Sequence, residues 1–291
     1  MKKSIIILII ILIIVLIGGF IFFTGTHIEG IVYDAQTNKP IQDATVTING
    51  IKFKTDIDGK FRAYSPPLNK VISVEKSGYK NFTEVFPAKF GIQIIEIGIK
   101  PHSFNEIFSD FKNMISKITS YHYTYEIQSE VNSNIEKITM EFFKTIDASH
   151  FISKKENESY LEIYIFKDFI YYRDKEDGKF EKIERERFKE NIPTLELQDI
   201  FDLFAIKSTP SKFSFIKESK IGNDDVLIFD VKWEDLFSTS EGKIFVRKKD
   251  NIILKMDFVD TGVNEEGKNV KTTISFNLTD INKDIKIVPP Q

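Results

Sequence analysis

SFNEIFSDFKNMISKITS, residues 103–120, runs straight into YHYTYEI, residues 121–127, and between the two the chain changes its hydrophobic period. In the first part Phe104, Ile107, Phe108, Phe111, Ile115 and Ile118 recur at three- and four-residue spacing, opposite Ser109, Asp110, Lys112, Asn113 and Lys117; that is the apolar stripe of an amphipathic helix. Ser103, followed three residues later by Glu106, has the spacing of a capping box at its start. In the second part Tyr121, Tyr123, Tyr125 and Ile127 alternate with His122, Thr124 and Glu126, the period of a half-buried strand. A helix of this kind has to lie on something, and the strand that follows it supplies the sheet.

Downstream the same period-two pattern returns at Lys137–Lys144, Tyr160–Lys167, Phe169–Arg173, Lys179–Ile183, Phe213–Lys217, Val226–Val231, Lys243–Arg247, Ile252–Asp257 and Val270–Leu278. Short polar turns such as Asp177-Gly178 and Lys249-Asp250-Asn251 join most of these runs, which predicts an antiparallel meander. A second helix is expected over Pro193–Phe204, where Leu197, Ile200, Phe201 and Phe204 share a face. Residues 101–291 therefore read as an α+β domain in which about ten strands curl over one or two helices.

Upstream, residues 27–100 read as an all-β sandwich. Strands are expected at Ile28–Tyr33, Ala44–Ile48, Ile51–Thr55, Lys60–Tyr64, Val71–Lys76 and Ile92–Ile99, punctuated by Thr37-Asn38-Lys39-Pro40, Asn49-Gly50, Asp58-Gly59 and Ser77-Gly78. Asp56-Ile57-Asp58-Gly59 invites a calcium reading, but alignment on Gly59 puts Lys54 and Ser65 where an EF-hand loop needs acidic ligands. The segment is expected to be a hairpin turn. Pro66-Pro67 stiffens a loop or an edge.

The first 26 residues form a third region. Ile5–Phe23 carries no charge over about 19 residues, close to a bilayer's hydrocarbon thickness. Lys2 and Lys3 precede it, and the first charges after it are Glu29 and Asp34, so the N-terminus is expected in the cytoplasm and the bulk of the chain outside it, in a periplasm or at a cell surface. The competing reading is a cleavable signal peptide, against which stand the length of the apolar run and the lack of a small-x-small cleavage site. The expected architecture is thus a single-pass membrane anchor over 1–26, a sandwich over 27–100 and a sheet-and-helix domain over 101–291.

Composition removes several function classes. A net charge of -3 with 29% charged residues gives no basic footprint for nucleic acid. With no cysteine there is no disulfide, thiolate zinc site, cysteine nucleophile or acylated cysteine. His27, His102, His122 and His150 stand apart, with no HExxH or GxSxG motif near them. Glu181, Glu184, Glu186 and Glu190 alternate with Lys182, Arg185, Arg187 and Lys189 as on a solvated face. Neither a catalytic residue nor a metal or cofactor is expected, and the chain is read as a non-enzyme.

Two resemblances add to this. The runs Ile28–Asp34, Thr37–Ile41, Asp43–Val46, Thr55–Phe61 and Val74–Tyr79 resemble the carboxypeptidase regulatory-like, or transthyretin-like, domain; the resemblance implies a seven-stranded sandwich serving as spacer or accessory module. The opening helix leading into Tyr121-His122-Tyr123-Thr124-Tyr125, the hairpin Ile163–Arg173, and the ending Thr272–Asn282 with Ile287-Val288-Pro289 resemble the lipoprotein-carrier superfamily. That resemblance implies an open half-barrel, lidded by helices, whose concave side holds acyl chains. This chain departs from the carriers in having an apolar N-terminal tether and a sandwich between tether and half-barrel.

On this basis the candidate ligand-lining residues are Phe104, Phe108, Phe111, Tyr121, Tyr123, Tyr125, Met140, Phe142, Phe201 and Phe204, because an apolar cavity with few polar groups is how a protein grips an acyl chain. The bland alternative is that the same side chains fill a core, as most aromatic stripes do. The expected partners are the membrane, through Ile5–Phe23, and a lipid or lipoprotein ligand. The alternative is an envelope sensor or adhesion protein that docks a protein partner.

Overall fold

A computed structural model of the chain describes residues 10–16, 18–20, 25–156, 159–187, 209–235, 237–264 and 266–290. It divides into two compact units, Met1–His102 and Ser103–Gln291. Among the described residues no helix is long and apolar enough to cross a membrane. Of the expected anchor, 10–16 and 18–20 are helical, and the remainder of Ile5–Phe23 lies outside the described residues, as does the whole helix expected over Pro193–Phe204.

Among the described residues of the first unit seven strands form two sheets. They are β1 (Thr26–Asp34), β2 (Thr45–Ile48), β3 (Ile51–Lys54), β4 (Lys60–Ser65), β5 (Lys70–Glu75), β6 (Phe82–Phe86) and β7 (Gly91–Ile99). The sheet orders are β4-β1-β7 and β3-β2-β5-β6. β1 and β7 pair in parallel and the other pairs are antiparallel. Alternation along the strands sends Ile28, Val32, Val46, Phe61, Ile72, Val74 and Ile97 into one shared core. β6 is a strand that periodicity does not reveal, since Phe82–Phe86 has no buried residue.

The turns follow from residues that tolerate positive φ. Asn49 and Gly50 close the β2–β3 hairpin at φ 48° and 89°, the pair of angles a two-residue hairpin loop requires. At Asp56–Gly59 the Asp56 carboxylate accepts the N–H groups of Asp58 and Lys60 at 2.9 and 2.8 Å, so the turn is held by the protein's own groups. Gly59 sits at φ +71°, and a Cβ there would stand 2.4 Å from the Val32 carbonyl oxygen. Gly59→Ala is therefore expected to destabilise this unit by about 2 kcal/mol, read as a lowered urea midpoint; a change within experimental error would mean that the turn can rearrange at no cost.

The second unit opens with α1 (Phe104–Ile115), whose start is capped by Ser103 accepting the Glu106 N–H at 3.3 Å. Among the described residues eleven strands follow: β8 (Tyr121–Val131), β9 (Asn134–Lys144), β10 (Ser149–Lys155), β11 (Ser159–Ile165), β12 (Phe169–Arg173), β13 (Glu181–Glu184), β14 (Lys212–Ile221), β15 (Asp224–Glu234), β16 (Ser238–Arg247), β17 (Ile253–Val263) and β18 (Asn269–Thr279). All pairs are antiparallel, and the order is β13-β12-β11-β10-β9-β8-β18-β17-β16-β15-β14.

The expected single meander is in fact two. β8 to β13 step outward to one edge, β14 to β18 step inward from the other, and the two halves join where β18 pairs with β8. Among the described residues the edges β13 and β14 do not pair with each other, so the sheet is open. A mostly-β unit with one large antiparallel sheet and few helices is consistent with a half-barrel.

Candidate functional site

α1 identifies the sheet face that matters. Its Phe104 packs edge-on against Trp233 of β15 and Phe213 of β14, at ring distances of 5.4 and 5.8 Å, and Phe104, Ile107 and Phe111 are buried. Asn251, in the β16–β17 turn, donates to the Asp110 carboxylate at 2.9 Å and fixes the helix from its polar side. The sheet face under the helix is apolar over most of its width. One row runs Phe229–Ile244–Met256–Phe276–Tyr125–Met140 across β15 to β9. A second runs Leu278–Tyr123–Phe142–Phe151–Ile163–Tyr172 across β18 to β12. Because register sets which residues face the same side, each row is a direct consequence of period-two alternation in the separate strands.

Eight of the ten expected lining residues are described, and they gather in one cluster. Phe104, Phe111, Tyr121, Tyr123, Tyr125 and Phe142 are buried members of it, and Phe108 and Met140 pack against it half-buried. Phe201 and Phe204 lie outside the described residues. Burial pushes the Tyr125 hydroxyl above its usual range, with the nearby Asp260 charge adding to the effect, so this phenol stays protonated. Sequence reasoning passed over the contribution of the other half of the sheet: Phe229, Trp233, Met256, Phe258 and Phe276 belong to the same cluster. The signal was present in the alternation of β15, β17 and β18, but only strand order shows that these residues continue the tyrosine rows of β8.

The opposite face is built differently. His122, Phe143, His150 and Tyr164, one from each of β8 to β11, stack in sequence with ring distances of 4.1, 5.5 and 3.9 Å. Beside the stack lies Glu162, buried at 5% exposure. Its carboxylate accepts from His150 Nε2 at 2.9 Å, Tyr164 at 3.0 Å, Arg173 Nε at 2.8 Å and the Tyr160 hydroxyl. Burial alone would raise the Glu162 pKa; the bonds from Tyr160, Arg173, His150 and Tyr164 outweigh it and hold the group down at about 2. The reverse applies to Tyr160 and Tyr164, which burial and then the Glu162 charge push up to about 12. His150 is lowered, chiefly by burial, so a neutral imidazole supplies the Nε2–H that the carboxylate accepts.

Every member of this network is already committed to another. It holds three strands, β10 to β12, together and leaves no activated nucleophile or free base among its members. Among the described residues no group of three or more His, Cys, Asp or Glu side chains is placed to hold a metal ion.

No family model matches the chain, and no curated protein does. Solved structures similar to it are of the LppX and LolA kind. The lipoprotein LppX of Mycobacterium tuberculosis is 8% identical, over 64% of this chain and 100% of that one, with a TM-score of 0.34. A LolA superfamily protein from Nitrosomonas europaea is 9% identical, over 65% and 96%, with a TM-score of 0.23. The MucA/MucB complex of Pseudomonas aeruginosa matches at 10% identity, over 60% and 56%, with a TM-score of 0.27. At scores this low the likeness assigns neither a family nor a ligand to this chain.

Proposed function

We propose that this chain is a membrane-anchored, extracytoplasmic binding protein whose second unit holds a lipid, a lipidated protein or another apolar ligand between α1 and the sheet, with the first unit, of carboxypeptidase regulatory-like type, as spacer. One observation carries the reading: the breadth of the apolar face. Eleven strands at about 4.8 Å spacing give a sheet roughly 48 Å wide, whereas a helix of 12 residues is about 18 Å long. A sheet more than twice as broad as α1 is long, with half-buried Met140, Leu161, Tyr172 and Ile274 along it, has the chemistry of a site that takes up acyl chains. The buried rings of Tyr123 and Phe142 are its floor, and Phe108 and Met140 are the positions that meet the ligand. Attachment through Ile5–Phe23 is the second part of the proposal and supports a role in receiving or presenting a ligand beside one membrane.

The test uses residues 25–291, without the apolar run, expressed in a host with native membranes. Lipid mass spectrometry of the purified protein should find lipid at near-stoichiometric amounts. Phe108→Ala should lower that occupancy about tenfold, the loss expected when one large apolar contact is removed, while shifting the urea midpoint little. Protein that carries no more lipid than an unrelated control and binds no added fatty acid would sink the reading.

A further inference from the structure

The exposed apolar residues of the first unit are unevenly placed. Tyr64, Leu68, Val71, Val85, Phe90 and Ile92 are all exposed; strand register puts Tyr64, Val71, Val85 and Ile92 in the half of the unit that carries Thr26, and Leu68 and Phe90 sit in the loops that follow β4 and precede β7. Thr26 pairs with Ser65 on β4 and Gly91 on β7, and Val71 pairs with Val85 next to the start of β5. That end is tied together. The Gly91 N–H donates to the Gly25 carbonyl at 2.7 Å, the Thr26 hydroxyl donates to the Lys89 carbonyl, and the Ala88 N–H donates to the Asn69 side chain at 2.9 Å.

Among the described residues of this unit, Ile57 is the exposed large hydrophobic at the other end, in the charged turn of Asp56, Asp58 and Lys60. Single exposed hydrophobics need no explanation. Their concentration in one half of the unit does.

The position of the apolar end in the chain points to its occupant. Phe23, the last residue of the uncharged run, is three residues from Thr26, a reach of at most about 10 Å. Any membrane holding Ile5–Phe23 would therefore lie directly against this end. The side chains there suit that layer. Tyr64, 72% exposed, is stacked on His27 at 4.8 Å, and aromatic residues with a polar tip gather at the headgroup level. Phe90, 66% exposed, follows Lys89, an exposed cation suited to lipid phosphate. Pro66, Pro67 and Pro87 stiffen the two loops between these residues, so little ordering entropy is lost when the loops settle.

We propose that the Thr26 end of the first unit rests in the interfacial layer of the bilayer, with Tyr64, Leu68, Phe90 and Ile92 among the headgroups and upper acyl segments. This rests on the reading of Ile5–Phe23 as a retained anchor. The spacer is thereby a docked foot that fixes the orientation of the first unit on the membrane.

The experiment uses the full chain, reconstituted into vesicles of phosphatidylcholine and phosphatidylglycerol whose acyl chains are brominated near the headgroup. Trp233 is the chain's one tryptophan; with Trp233→Phe as background, single probes are introduced as Phe90→Trp, Tyr64→Trp and Ile57→Trp. Emission from positions 90 and 64 should be quenched at least about threefold more than from position 57, as expected for rings at the headgroup level. Equal, weak quenching at all three in protein that stays with the vesicles through an alkaline carbonate wash overturns the docked foot and leaves the anchor standing. Release of the chain by that wash overturns both.

Discussion

Arg173→Met is expected to destabilise the second unit by about 3 kcal/mol at neutral pH, because it removes the cation from a carboxylate that stays buried. Arg173 donates to Glu162 through Nε at 2.8 Å and lies within 2.6 Å through its second nitrogen, and its guanidinium also covers the Phe180 ring at 4.6 Å. Without it, His150, Tyr160 and Tyr164 still donate, but no positive charge offsets the desolvation of Glu162. The double variant Arg173→Met/Glu162→Gln should recover a substantial part of the loss, since the uncompensated charge is then gone. A double variant no more stable than Arg173→Met would show that the cost lies in ring packing.

The same group sets an acid limit. A carboxylate held at about 2 in the folded chain, against an ordinary value of 4.5, stabilises the fold fully above pH 4.5. It loses that contribution as pH falls through the window from 4.5 toward 2, because the unfolded chain takes up the proton first. Urea midpoints of the unaltered protein should decline across that window, and Glu162→Gln should flatten the decline.

Phe142→Ala is expected to cost about 3–4 kcal/mol. The ring is fully buried and sits 5.3 Å from Tyr123, 6.0 Å from Tyr121 and 6.5 Å from Phe151, so its removal leaves a cavity that three neighbouring strands cannot close without breaking register. The measurement is equilibrium unfolding followed by Trp233 emission. A loss below about 1 kcal/mol would mean that the row already borders open space, and would move Phe142 from the floor of the site to its lining. Together with Phe108→Ala the result separates residues that only fill the core from residues that would meet the proposed ligand.

Much of this arrangement can be read in the chain, and the exceptions have physical causes. The switch from helix to strand at Tyr121 is legible because both periods are strong and adjacent. β10 is not, because Ser149-His150-Phe151-Ile152-Ser153 places polar and apolar residues on both faces; its inward face is completed by Phe151 only after β9 and β11 are in register. β6 is hidden for the related reason that Phe82–Phe86 is largely exposed. The Glu162 network escapes any linear reading, since it draws one residue from β10, three from β11 and one from β12. The candidate lining residues form a stripe in the sequence, yet whether a stripe is core or cavity depends on what covers it, which local pattern does not encode. The pairing of β8 with β18 joins segments some 150 residues apart, and no period announces such a contact.

That central pairing sets an order of events. As the chain emerges from its N-terminal side, β8 to β13 can assemble by local hairpins, but the free edge of β8 must wait for the last strand. Until Asn269–Thr279 arrives, the middle of the finished sheet is an open edge bordered by Tyr123 and Tyr125, the kind of template on which chains pair wrongly. Closing it requires a contact of very long sequence separation, which slows folding. The protein is thus built to complete its fold only after the whole second unit is available, and a chain interrupted within β17 would carry two unpaired edges where the intact protein has its most buried rows.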